Sequence, residues 1–228
     1  MIIDVVIPAY NEEGCIGKVV SDIDKNIVRQ IIVVDNNSKD RTTQVATFAG
    51  AIVLKEPKMG YGNACLKGIN FLEKQEKQPD ILVFLDGDYS DYPDEIAYLT
   101  APIINNKVDF VIGNRNNKSR ERGSMTPQQV FGNWLATFLI NVFYKVQYHD
   151  LGPFRAIRFD RLLEINMQDK TYGWTVEMQL KAIKHNLNTI ELPVKYRKRG
   201  AGKSKVAGTL KGTILAGYKI ISTIIKYR

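Results

Sequence analysis

No aspartate or glutamate follows Glu191 in this 228-residue chain, whereas Lys195, Arg197, Lys198, Arg199, Lys203, Lys205, Lys211, Lys219, Lys226 and Arg228 all do. The formal charge of +8 is therefore concentrated at one end. A one-signed segment suits an anionic partner such as a lipid surface, a phosphate-bearing substrate or a nucleic acid, with a solvated surface as the bland alternative. No nucleic-acid reading motif accompanies it, so no nucleic-acid partner is expected. Cysteine is scarce: Cys15 and Cys65 sit among apolar and small residues, which excludes a disulfide framework and suits buried, reduced thiols. Long apolar runs are missing too. The segment TILAGYKIISTII is broken by Lys219 and falls short of the ~20 residues that span a bilayer. At the start, MIIDVVIPAYNEE meets Asp4 and Pro8, unlike the basic flank and unbroken core of a signal peptide. The expectation is a cytoplasmic protein, soluble or peripheral on the membrane. KMGYGNA, with Lys58, Gly60 and Gly62, allows backbone to approach a ligand. It has neither the Gly-x-Gly-x-x-Gly of a dinucleotide fold nor the Gly-Lys-Ser/Thr of a P-loop, which disfavours oxidoreductase and NTPase readings.

What is present is enough apolar sequence, 44% of residues, for one domain with a real core. In the first half, IIDVVIPA, IIVVDNNS, AIVL and ILVFLD alternate with helical stretches, one opened by Asp40 as an N-cap and another following Pro93. That alternation predicts an α/β fold with a mostly parallel central sheet and helices on both faces. After DFVIGNR the rhythm breaks. Residues 116–129 read as a polar, basic loop, 127–146 as a long helix, GPFRAIR as a strand, TVEMQLKAIKHNL as a helix and NTIELPVKYRK as a strand. Near the end, helical projection gathers Leu210, Ile214, Gly217, Tyr218, Ile220, Ile221, Ile224 and Ile225 on one face, with Lys211, Lys219 and Lys226 opposite. Such a basic amphipathic helix fits a membrane interface, the domain's own core or a homodimer contact.

In open α/β sheets ligands bind beyond the carboxyl ends of the strands. Three such ends are polar here: PAYNEE, DNNSKD and DGDYSD. The last lies in ILVFLDGDYSDYPDE, where an apolar strand stops in acids. Asp86 and Asp88 have the spacing to present two carboxylates to a hard cation, Mg²⁺ or Mn²⁺, which would neutralise a diphosphate leaving group. Asp91, Asp94 and Glu95 surround Pro93 and read as helix-start chemistry. Tyr10 can flank a base, Glu12 and Asp35 can accept from ribose hydroxyls or base N–H groups, and Asn37 adds a donor and an acceptor. Each of these residues also suits a turn.

In order, VVIPAYNEE, IVVDNNSKDRT, FLDGDYSD, VIGNR, DLGPFRAIR and GKSK resemble the family 2 glycosyltransferases with a GT-A fold, a Rossmann-like nucleotide-diphospho-sugar transferase architecture. The set is especially similar to the dolichol-phosphate mannose synthase and polyprenyl-phosphate glycosyltransferase branch, and the likeness spans essentially the whole chain. The resemblance implies a single domain over 1–228, with a nucleotide-sugar-binding half (1–115), an acceptor half (116–204) and the C-terminal helix (205–228). It implies that Pro8, Tyr10, Glu12, Asp35, Asn37, Lys58, Gly62 and Asp86 bind the nucleotide sugar, and that Asp86 and Asp88 hold the metal and diphosphate. Asp150, Arg155 and Arg115 match catalytic positions, while Arg115, Arg199, Lys203 and Ser204 match a basic acceptor-phosphate site. Glu177 is an alternative catalytic carboxylate, or an i+4 partner of Lys181. GPF departs from the small polar residues common before the family's arginine. The implied activity is inverting transfer of a hexose from a GDP- or UDP-linked donor to a polyprenyl phosphate. A soluble or other lipid acceptor, or a silent nucleotide-sugar-binding module, stands as the alternative.

Overall fold

Short apolar runs separated by turn residues give strands and helices in alternation. The computed structural model describes residues 1–202 and 210–227, with side chains for all of these except 210–216. The first half runs β1 (Ile3–Ala9), α1 (Ile16–Ser21), β2 (Val28–Asp35), α2 (Thr42–Phe48), β3 (Ile52–Lys55) and α3 (Tyr61–Glu73), followed by β4 (Ile81–Phe84), a 3₁₀ turn (Pro93–Glu95), α4 (Ile96–Ile104) and β5 (Phe110–Asn114). The second half holds α5 (Pro127–Tyr144), β6 (Arg155–Arg158), α6 (Phe159–Ile165), α7 (Trp174–Lys184), β7 (Thr189–Pro193) and α8 (Leu210–Lys226). Helix α6 is absent from the sequence-based reading; its seven residues are too few for a clear period, and it buries Phe159, Leu162 and Ile165. Asp40 lies one residue before the N-cap Arg41, yet its Oδ1 still accepts from the Thr42 N–H at 3.0 Å. Helix α5 starts sharply, because Thr126 and Gln129 form a reciprocal capping box ahead of Pro127.

Among the described residues seven strands form one sheet, ordered β3-β2-β1-β4-β6-β5-β7. All neighbours are parallel except β6, which runs antiparallel to both β4 and β5. That reversal brings the start of β6 to the edge where the parallel strands end: Arg155 pairs with Phe84 and with Ile112. Successive strand residues face opposite layers. Val6, Ile32, Val34, Leu82 and Phe84 pack beneath α3, α5, α7 and α8, while Val5, Ile7, Val33, Val83 and Leu85 pack against α1, α2 and α4. Cys15 and Cys65 are both buried and free.

Helix α8 packs on α5 and α7. Ile224 is fully buried, Tyr144 Oη donates to its carbonyl oxygen at 3.2 Å, and Tyr227 Oη donates to Glu177 at 2.6 Å. The described part of this helix thus joins the core through Ile220, Ile224 and Tyr227, while Tyr218, Ile221 and Ile225 stay exposed. Lys219 does not point only to solvent, as projection implies; its Nζ reaches Asp169 at 2.9 Å. The side chains of Leu210, Lys211 and Ile214 lie outside the described residues. Among the described residues, no helix is long and apolar enough to cross a membrane.

Candidate active site

The carboxyl ends of β1 and β4, the loops after β5 and β7 and the start of β6 surround one cleft of about 870 Å³, within the usual range for ligand sites. Pro8, Tyr10, Glu12, Asp86, Asp88, Arg115 and Arg199 all line it. Its far wall is formed by α5 and α8 through Phe131, Leu135, Gly217 and Ile220. One side is thus strongly charged, and the other is uncharged, with Gln128, Gln129 and Asn133 beside its apolar residues.

The charged side is organised around Arg199. Its Nη1 lies 2.8 Å from each oxygen of Glu12, and its Nη2 lies 3.2 Å from Asp88 Oδ2. A cation therefore sits between the two carboxylates. Asp88 also accepts from the Ser90 N–H at 2.9 Å, and its carbonyl accepts from the Gly200 N–H at 3.0 Å, which ties the β4 loop to the segment after β7. Asp86 accepts from Tyr61 Oη at 3.1 Å. Burial, then the neighbouring Asp88 charge, push the Asp86 carboxyl up to about 7.

Asp91 departs from expectation. It is not part of the helix start but is buried beside Asp86, with Oδ2 3.5 Å from the Asp86 backbone nitrogen and Oδ1 without a hydrogen-bond partner among the described residues. Burial and the Asp86 charge raise its pKa well above the carboxylate range. Asp94 and Glu95 do occupy the first turn, and Glu95 also accepts from the Lys195 N–H at 2.9 Å. The acid-rich stretch is divided by the turn at Tyr89, whose φ of 64° sends Asp91 back to the strand end.

Asp150 and Arg155 lie beside the cleft without lining it. Asp150 is 1% exposed and holds Arg115 at three points: the backbone N–H at 2.6 Å, Nε at 2.9 Å and Nη2 at 2.8 Å. Its carboxylate is committed to Arg115 rather than turned toward a ligand. Arg115 in turn lies over the Tyr196 ring, 5.0 Å from its centroid, and reaches the cleft. Arg155 is fully buried and donates to the carbonyls of Gly152 and Thr175, with its pKa pushed down to about 10 by burial.

Four expected nucleotide-site residues do not line the cleft. Asp35 is buried and accepts from the Ser38 N–H at 3.0 Å and Thr43 Oγ1 at 2.7 Å. Asn37 takes a left-handed turn conformation with φ of 67°, and Lys58 is exposed. Gly62 has a packing reason for lacking a side chain: a Cβ there would lie 2.0 Å from the Asp169 carbonyl oxygen. Asn36 supplies the contact instead, with Nδ2 on the carbonyls of Glu56 and Lys58 at 2.9 and 2.7 Å and Oδ1 accepting from the Gly60 N–H at 2.7 Å. Neither Asn36 nor Tyr61 is singled out by sequence reasoning, although both lie inside the motifs it found. Glu177 is buried and pairs with Lys181 at 3.0 Å and with Tyr227, away from the cleft. Lys203 and Ser204 lie outside the described residues.

The open α/β sheet, with paired aspartates and two arginines at its ligand edge, has the architecture of the GT-A fold. The chain belongs to glycosyl transferase family 2, whose model matches residues 4–165. It is 31% identical over 227 residues to a dolichyl-phosphate hexose transferase of Haloferax volcanii, covering 98% of this chain and 94% of the relative. It is 30% identical over 217 residues to a UDP-N-acetylglucosamine–dolichyl-phosphate N-acetylglucosaminyltransferase of Methanococcus voltae, covering 85% of each. Among solved structures, glucosyl-3-phosphoglycerate synthase of Mycobacterium tuberculosis in complex with Mn²⁺, UDP-glucose and phosphoglyceric acid superposes with a TM-score of 0.78 at 21% identity. That likeness covers 99% of this chain and 79% of the synthase.

Proposed function

We propose that this glycosyltransferase moves a hexose from a nucleotide diphospho-sugar to a polyprenyl phosphate, with inversion at the anomeric carbon. The observation that carries the reading is a cleft with Asp86, Asp88, Arg115 and Arg199 on one side and Phe131, Leu135 and Ile220 on the other. The charged side suits a diphosphate and an acceptor phosphate, and the apolar patch on the uncharged side suits a prenyl chain. Two relatives named for dolichyl-phosphate acceptors support this choice.

The residues fit a divalent metal. Among the described residues no three His, Cys, Asp or Glu side chains converge on one point. The protein therefore offers Asp86 and Asp88, leaving the other positions to phosphate oxygens and water, as is usual for Mg²⁺. The buried Asp91 oxygen beside Asp86, unpartnered among the described residues, is the observation that favours a cation at this strand end. When bound, Mg²⁺ or Mn²⁺ supplies charge neutralisation of the diphosphate. The mycobacterial synthase, solved with Mn²⁺ and UDP-glucose, supports this choice of cofactor.

An acceptor phosphate oxygen attacks the anomeric carbon as the bond to the diphosphate oxygen breaks, and the nucleoside diphosphate leaves with the bonding pair. The acceptor oxygen is already anionic, so no base is needed and positioning dominates. Arg115, held by Asp150, and Arg199 then orient the two phosphates through charge-assisted hydrogen bonds. Asp150 is a positioning residue in this scheme. A second reading, a soluble phosphorylated acceptor, is favoured by the fold neighbour's phosphoglyceric acid, and is distinguished by which acceptor becomes labelled. The test of the main reading is transfer with and without Mg²⁺ or Mn²⁺ in the native protein and in Asp88→Asn. Metal removal and the substitution should each cost at least about 100-fold in kcat/KM, from several kcal/mol of lost charge stabilisation, with the circular dichroism unchanged. Full turnover in both samples refutes the assignment.

A further inference from the structure

Helix α5 has no charged residue among its 18 positions, and no acid occurs between Glu121 and Asp150. Its outward face is aromatic: Phe131, Trp134 and Phe138 are 60%, 56% and 50% exposed. Steps of three and four residues place them in one line along the helix. The rings lean on one another, with centroids 5.8 Å apart for Phe131 and Trp134 and 5.7 Å for Trp134 and Phe138. A contiguous stripe of this kind is unfavourable in water and marks a surface made to be covered.

The geometry points to this stripe as a membrane-docking face, with an anionic lipid bilayer as its occupant. Charge is the first argument. Lys118 and Arg122 lie in the loop that leads into α5 and Lys145 caps its end; all three are exposed and none makes an ion pair among the described residues. Cations around an aromatic face are the arrangement that binds an anionic lipid surface. Continuity is the second argument. Phe131 and Met125 belong both to the apolar depression on α5, which Trp134 borders, and to the lip of the catalytic cleft. A bilayer against the stripe lies at the mouth of the cleft, so a prenyl chain passes from lipid to active site along α5 without crossing water. A second copy is a poorer occupant, because two-fold pairing through this face sets the basic flanks of one copy against the same flanks of the other, the one acid among them, Glu121, being paired with Lys198.

This surface is not the one considered from the sequence, which offers the C-terminal helix for a membrane interface, the core or a dimer contact. For its purpose the proposal rests on the lipid-acceptor reading, but it is tested without donor or acceptor, so the two fail separately. The full chain is mixed with vesicles of pure phosphatidylcholine, or of phosphatidylcholine with phosphatidylglycerol, and binding is read by co-flotation. Trp134 is the exposed one of the two tryptophans, Trp174 being buried, so its emission and its quenching by brominated lipid report on α5. Binding should require the anionic lipid and weaken with salt. Trp134 emission should shift to the blue, and Phe138→Glu should weaken partitioning roughly tenfold while thermal stability and nucleotide binding hold. Trp134→Glu, at an equally exposed position, should do the same in flotation. Binding that survives both variants, or bound protein whose Trp134 is not quenched, overturns the proposal. So does a dimer in solution that either variant disperses, which would assign the stripe to a second copy, or the absence of binding to either vesicle.

Discussion

Replacing Asp150 with asparagine separates a positioning carboxylate from a catalytic base. In the folded protein Asp150 is 1% exposed and satisfies Arg115 at three points, while the Arg115 side chain is itself only 10% exposed. Asparagine keeps the shape and one acceptor oxygen but removes the charge, leaving a buried guanidinium uncompensated. Breaking a buried ion pair from one side costs about 3–5 kcal/mol, and the remaining acceptor puts this case near about 3 kcal/mol. With a urea m-value of about 3 kcal/mol per molar, the unfolding midpoint should fall by about 1 M. The difference should also depend on pH. Burial alone raises the Asp150 carboxyl, but the Arg115 charge and the hydrogen bonds it accepts outweigh that and hold it below its ordinary value. Its contribution is therefore complete above the unfolded-state value of about 3.9 and is lost as pH falls through the lower folded-state value. Native and variant midpoints should stay apart at neutral pH and converge below about pH 4. Transfer activity should fall with stability, since Arg115 loses its support. A variant whose midpoint stays within about 0.3 M of the native one, yet has lost turnover, would show instead that Asp150 acts directly on the acceptor.

The remaining predictions address what holds the cleft in shape. Gly62→Ala forces a methyl against the Asp169 carbonyl and should cost about 3 kcal/mol in thermal or urea unfolding, because backbone cannot give way as a side chain can. Lys58→Ala, at an exposed position off the cleft wall, should leave stability within about 0.5 kcal/mol and donor affinity nearly unchanged by titration calorimetry. Tyr227→Phe removes the 2.6 Å hydrogen bond to the buried Glu177 and should lower stability by about 1–2 kcal/mol, read by urea unfolding, while Lys181 continues to pair with Glu177.

Much of this architecture is legible in local sequence, for a local reason. Alternating apolar residues in VVIPA and ILVF face two cores, and polar residues where those runs stop mark the ends of parallel strands. Tyr10, Glu12, Asp86, Asp88, Arg115 and Arg199 come from motifs far apart in the chain, yet all line the cleft, since parallel strands deliver their ends to one edge. The motifs are less informative about individual side chains. PAYNEE and DGDYSD both reach the cleft, but within DNNSKD it is Asn36 that faces inward, while Asp35 is held by Ser38 and Thr43. The positive φ at Asn37 accompanies a turn in which Asn36, and not its neighbours, lines the cleft, and composition does not encode that choice.

The sequence by itself determined the α/β class, the family and the stretches that supply the site, because each depends on residues close together in the chain. Only the tertiary structure decided that Asp91 is buried beside Asp86, that Asp150 is spent on Arg115, and that Arg199 bridges Glu12 and Asp88 across 187 positions of chain. It also turned the aromatic face of α5 outward. The sequence marks α5 as a long helix after a polar loop, but whether Trp134 faces core or surroundings is set by which neighbours cover the helix, and here α8 packs against it and leaves that side open. Burial, charge pairing and exposure are properties of surfaces that meet in space, which is why they appear only once the sheet is assembled.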